Sequence, residues 1–149
     1  MAKSEVISHL FADSIQPQKI EQMIKQIYPC LWFDGQAHAA AEFYCSIFEN
    51  SKITADNPMV CTFELNGKKF MGLKGGPQLN FNDSVSFVVD CETQEEIDHY
   101  WNSLISDGGS EGRCGWLKDK FGVSWQIVPT VLPKLLSDPA RSQNVIAAF

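Results

Sequence analysis

IYPCLWFDGQAHAAAEFYCSIF, residues 27–48, opens on a nearly continuous apolar run, turns at Asp34-Gly35, and continues with apolar residues at helical spacing. Ile27 to Phe33 therefore reads as a buried strand. From Ala37 to Phe48, the residues Ala40, Phe43, Tyr44, Ile47 and Phe48 share one face of a helix that Asn50-Ser51 ends. Ser51 to Thr54 predicts a short strand, which Asp56-Asn57-Pro58 breaks before an alternating strand from Met59 to Leu65. Asn66-Gly67 is a type I′ hairpin signal leading into a strand from Lys68 to Lys74, and Gly75-Gly76-Pro77 closes the unit.

The same order then recurs. A strand is expected at Ser84 to Val89, a turn at Asp90, and a helix from about Gln94 to Ile105. Thr93 with Glu96 three residues on has the spacing of a capping box. Gly108-Gly109 stops that helix. Weak strands near Ser110 to Arg113 and Cys114 to Leu117, a turn at Asp119 to Gly122 and an apolar strand from Val123 to Val128 complete the second unit. Phe43-Tyr44 answers Tyr100-Trp101, and Ile47-Phe48 answers Leu104-Ile105. An internal repeat of this kind predicts an α+β fold of paired βαβββ modules, with curved sheets enclosing a cleft and helices outside. Residues 1–24, with helical patterning at Ser4 to Ala12 and again from Pro17, are expected to form a helical extension ahead of a domain spanning 25–149. Leu132 to Leu136 and Ala140 to Ala148 read as short helices after it.

The segments Leu31 to Ala37 with Glu42-Phe43-Tyr44, Asn50 to Ile53 and Phe63 to Gly67 resemble the PhnB-like branch of the vicinal-oxygen-chelate superfamily, the glyoxalase and bleomycin-resistance fold. The run Cys114 to Pro129 does so as well, and the resemblance extends over nearly all of Lys25 to Asp138. It implies the paired βαβββ fold, and it attaches the 3-demethylubiquinone methyltransferase label that domains of this branch carry. The residues themselves lack the glycine-rich strand-to-helix loop that S-adenosylmethionine enzymes use. Gly75-Gly76 and Gly108-Gly109 follow a meander strand and a helix, so they read as turn formers.

Metal-dependent members of the superfamily take histidine and glutamate ligands from the first and last strands of each repeat. Here Ile27 to Phe33, Ser84 to Val89 and Lys68 to Leu73 hold no His, Asp or Glu, so a slip in register cannot supply one. By resemblance the metal-binding glutamate position is Gln126, and its counterpart in the first repeat is Met71. No metal and no cofactor is therefore expected. His9 falls in the extension, and His38 and His99 fall on the two helices, where they are expected to face solvent. Cys30 and Cys61 read as small buried hydrophobes.

What remains is a cleft lined by Trp32, Met71, Ser86, Trp116, Ser124 and Gln126, in which aromatic and thioether groups and a few amide or hydroxyl donors suit an organic, partly planar small molecule. Trp125, whose parity opposes Gln126, is expected in the core. The 149 residues carry a net charge of −6, which repels nucleic acid and favours a cationic ligand. Hydrophobic and charged fractions of 44% and 20% are those of a globular chain rather than a disordered or membrane-spanning one. Five scattered cysteines and the absence of a basic-then-apolar leader point to reduced thiols and the cytoplasm. The leading reading is a metal-free small-molecule binding protein of sequestering or resistance type, acting as a homodimer. The alternatives are a glyoxalase-like or dioxygenase-like enzyme with an atypical site and the methyltransferase of the family label.

Overall fold

The computed structural model describes residues 26–148, so the expected N-terminal helices lie outside the described residues. The first module runs β1 (Cys30–Asp34), α1 (Ala37–Ile47), β2 (Lys52–Asp56), β3 (Val60–Leu65) and β4 (Lys68–Gly75). The second runs β5 (Ser86–Cys91), α2 (Gln94–Leu104), β6 (Ser110–Glu111), β7 (Trp116–Lys118) and β8 (Ser124–Pro129). Two short helices, α3 (Leu132–Ser137) and α4 (Ser142–Ala148), follow. The modules form two four-stranded sheets of identical topology, β1-β4-β3-β2 (sheet A) and β5-β8-β7-β6 (sheet B), each with its first and last strand parallel. The paired βαβββ architecture is thus the observed one.

Local chemistry accounts for the boundaries. Asn66 and Gly67 both have positive φ, 48° and 73°, the signature of a type I′ turn, and β3 pairs with β4 from Leu65 opposite Lys68 onward. Thr93 Oγ1 accepts from Glu96 N at 3.2 Å while Glu96 Oε2 accepts from Thr93 N at 3.4 Å, so the capping box forms. The first strand of each module is shifted along the chain from its apolar pattern, starting only at Cys30 and Ser86 and ending on Asp34 and Cys91, and Asp90 lies within β5 opposite Val128 rather than in a turn. Edge pairing with a neighbouring parallel strand outweighs the turn preference of a single aspartate.

In each sheet one face is buried and the other looks outward. In sheet A, Leu31, Phe33, Cys61, Phe63 and Leu65 point inward onto α1, whose Ala37, Ala40, Ala41, Tyr44 and Ile47 are buried. In sheet B, Trp125 and Ile127 do the same. The two inner faces share a single core: the Tyr44 ring lies 6.2 Å from Phe63 and 5.4 Å from Trp125, and Phe70 meets Phe87 edge-on at 5.4 Å. Helix α1 therefore lies between the sheets instead of outside them. The physical reason is that its aromatic stripe, from Phe43 through Phe48, is wider than one sheet covers, and a wide stripe is buried by a second surface. Trp125, 3% exposed, is the core aromatic its parity indicates. Among the described residues no helix is long and apolar enough to cross a membrane.

Candidate functional site

Alternation along the strands assigns the six candidate ligand-binding residues. In sheet B, Trp116 pairs with Gln126 and Ser86 with Ser124 on the outward face. Gln126 Nε2 donates to Ser86 Oγ at 2.8 Å, which leaves the amide oxygen and the serine hydroxyl hydrogen for a ligand. Ser124 shares this parity but is only 1% exposed: Asp83, in the loop joining the modules, lies over it and accepts its hydroxyl at 2.8 Å. That bond, and the Lys118 ammonium 3.2 Å away, hold the Asp83 carboxyl below its ordinary range. Beside this face, Asp83, Glu111, Arg113, Trp116 and Lys118 line a groove of about 570 Å³. The charged residues of that rim were not legible in the sequence, because they come from two loops and two strands of two and three residues, too short for a periodicity to orient them.

Trp32 and Met71 lie on the outward face of sheet A. The Trp32 indole lies across the backbone of Gly75, where a Cβ would stand 2.0 Å from its Cε2, and its Nε1 donates to Gly76 O at 2.8 Å. The glycine pair thus serves to seat Trp32. Met71 faces Cys30 on β1 and Thr62 on β3. The helices and shared core separate the two outward faces, so within one chain Trp32 and Met71 are not gathered with Trp116, Ser86 and Gln126. A smaller hollow of about 220 Å³ does join the modules, between Cys30, Phe81, Asn82 and Ser124.

The register identifies equivalent positions in the two modules: Met71 between Cys30 and Thr62 matches Gln126 between Val88 and Trp116. Cys30, Met71, Val88 and Gln126 form no donor set for a hard divalent ion of the kind superfamily enzymes hold. Burial holds the Cys30 thiol above its ordinary range, so it is a protonated thiol at neutral pH rather than a ready nucleophile. It is nonetheless exposed, not buried as its apolar context suggested, because its strand parity is outward.

Of the helical histidines, His99 is exposed as expected, although it also reaches the first helix, whereas His38 is only partly exposed. His99 Nε2 lies 3.1 Å from Ile47 O and ties α2 to the end of α1. His38 is half-buried, with Nδ1 fully covered and 3.0 Å from Asp56 Oδ2. The close approach of α1 to sheet A, which no single-helix pattern encodes, brings it there.

Two βαβββ modules with strand order 1-4-3-2 define the vicinal-oxygen-chelate class, and solved structures agree. A glyoxalase/bleomycin resistance protein from Albidiferax ferrireducens T118 matches with a TM-score of 0.52 at 14% identity, over 70% of this chain and 97% of that one. FosX, a fosfomycin resistance protein from Listeria monocytogenes solved with Mn(II) and sulfate, matches with a TM-score of 0.55 at 15% identity, over 74% and 94%. The chain belongs to the 3-demethylubiquinone-9 3-methyltransferase family, whose model matches residues 25–128. Within that group it is 32% identical to the PhnB protein from Bacillus cereus, over 71% of this chain and 100% of that one, with a TM-score of 0.61. No curated protein matches.

Proposed function

We propose that the protein is a small-molecule binding protein of sequestering or resistance type that holds an organic, partly planar ligand against the outward face of sheet B, with no metal in the family's usual place. The observation that carries this reading is Trp116 paired across the strands with Gln126, whose amide bonds the Ser86 hydroxyl, on the outward face of sheet B. Trp116 offers a π-face, Gln126 an oriented acceptor and Ser86 a donor, while the chain's net charge of −6 favours a cationic ligand. In a homodimer, the outward face of sheet A from a second copy closes the cleft and adds Trp32 and Met71 to Trp116, Ser86 and Gln126, with Ser124 held beneath Asp83. This arrangement is supported by an exposed apolar side chain on the face to be covered, Val88 at 56% beside Gln126.

The test is a thermal-shift screen of cationic aromatic compounds against the full chain. Binders raise the melting temperature increasingly with the logarithm of concentration above Kd. Trp116→Ala and Gln126→Ala are expected to weaken such binders about tenfold, the worth of one cation–π contact or hydrogen bond. A chain whose melting temperature no compound class moves would refute the reading. The family's name suggests S-adenosylmethionine as a second ligand class, and titration calorimetry with it is expected to give no heat of binding, since both glycine pairs are committed to packing and turns.

A further inference from the structure

On the inner side of sheet A, away from the face just discussed, three different ligating side chains converge. The convergence starts at Gly72. A Cβ there would stand 2.9 Å from the Cβ of Ala37, so the bare glycine lets the first turn of α1 rest directly on β4. Cys61 is the register partner of Gly72 on β3, and Asp56 is in turn the register partner of Cys61 on β2. His38, the second residue of α1, is therefore set over this strand end. One ligand atom each from His38, Asp56 and Cys61 falls within 4.8 Å of the others.

The geometry around His38 is that of a ligand. Its Nε2 is 3.3 Å from Glu42 Oε1 one turn along α1, which favours the tautomer with hydrogen on Nε2 and a lone pair on Nδ1. Nδ1 is buried, has no hydrogen-bond partner among the described residues, and stands 3.0 Å from Asp56 Oδ2 without the alignment of a hydrogen bond. Two facing electron pairs at this distance repel unless a proton or a metal cation lies between them, and the poor alignment at Nδ1 favours the metal. Nitrogen and oxygen donors on one tetrahedral zinc stand about 3.3 Å apart, given bonds of about 2.0–2.1 Å. The other carboxylate oxygen, Oδ1, is taken by Lys74 Nζ, which also donates to Asn57 O at 2.8 Å, so Asp56 is anionic and its free oxygen is the one aimed at His38.

We propose that His38, Asp56 and Cys61 hold one divalent, thiophilic cation of the zinc class, with Glu42 fixing the His38 ring and a water completing four-coordination. The ion clips the start of α1 to the β2–β3 edge hairpin. Its binding breaks the Cys61 S–H bond, forms a metal–sulfur bond and releases the proton to solvent. Burial, and next the Asp56 carboxylate, raise the Cys61 thiol, so it stays neutral until an ion displaces that proton. Sequence reading missed the cluster because its members lie 18 and 5 residues apart on a helix and two strands, with no metal-motif spacing.

The experiment is a Co²⁺ titration of the chelator-stripped full chain, followed by Zn²⁺ displacement. One Co²⁺ per chain is expected, with a thiolate-to-cobalt charge-transfer band and the intensified visible bands of tetrahedral cobalt, both abolished by Zn²⁺. Cys61→Ser removes the charge-transfer band. His38→Gln, at a half-exposed position where folding is not at stake, lowers affinity at least about tenfold, and Glu42→Gln about tenfold. Gln126→Ala, on the other sheet, leaves the Co²⁺ stoichiometry, affinity and spectrum those of the parent, whatever it does to the binding of organic ligands. The proposal is overturned by no stoichiometric uptake, by a band that survives His38→Gln with unchanged affinity, or by one that Gln126→Ala removes.

Discussion

Asp119 shows how much a single residue organises. It is 3% exposed and accepts four hydrogen bonds: Tyr44 Oη at 2.7 Å, Trp125 Nε1 at 2.9 Å, Phe121 N at 2.8 Å and Val123 N at 3.1 Å. It thereby pins a helix of the first module to the last hairpin of the second. Removing this acceptor leaves four donors unpaired inside the core, so Asp119→Ala is expected to cost about 3 kcal/mol or more in urea unfolding. Burial pushes its carboxyl above the ordinary 3.8 against the pull of those donors, and burial followed by the Asp119 charge raises Tyr44 well above its usual value. A raised folded-state value means the folded chain holds this proton more tightly than the unfolded one. The stabilisation is therefore fully present below about pH 3.8 and lost as pH rises through the folded value. Asp119→Asn cannot titrate, so the parent's advantage over it in urea midpoint is expected to be larger at pH 4 than at pH 7. Asp56 and Asp83 run in the opposite sense. Lys74 for the one and Ser124 for the other hold them below 3.8, and their contributions are lost as pH falls through those lowered values. The inward parity of Trp125 was legible in the sequence; its partner Tyr44, 75 positions from Asp119, was not, because parity reports a face and not what covers it.

At the scale of elements, local signals carried most of the information. The Asn66-Gly67 turn and the Thr93–Glu96 box are decided by backbone and side-chain groups within four residues of one another, and both form as read. How close an element approaches its neighbour is a different matter. Gly72 reads as an ordinary strand glycine, yet it sets the seat of α1 and with it the position of His38. Gly72→Ala is expected to destabilise by about 1–3 kcal/mol through overpacking against Ala37. A double-mutant cycle with Ala37→Gly checks the mechanism: the second substitution removes the clashing methyl and recovers most of the loss, minus about 1 kcal/mol for glycine in a helix. Simple additivity of the two losses would show that Gly72 matters for another reason.

For the molecule as a whole, the two modules bury their inner faces against each other and leave both outward faces uncovered. Exposed Val88 on sheet B, with Trp116 and Gln126 alongside, marks the surface expected to meet a second copy. Light scattering is expected to report a dimer for the parent and a monomer for Val88→Arg, whose charge would be buried without a partner in the dimer and solvated in the monomer. A monomeric parent would remove the composite cleft and leave only the half-site on sheet B. The βαβββ repeat, the Asn66-Gly67 turn, the cap, the outward parity of Trp32, Met71, Ser86 and Gln126, and the lack of carboxylate or imidazole at the family's metal positions were all determined by the sequence itself. Each depends on periodicity or on groups a few residues apart. Only the tertiary structure decided that α1 lies between the sheets, that the six candidate residues divide between two faces, and that His38 comes to rest against Asp56 and Cys61. These depend on which surface buries the second side of an aromatic helix, a competition between apolar areas far apart in the chain that no local pattern records.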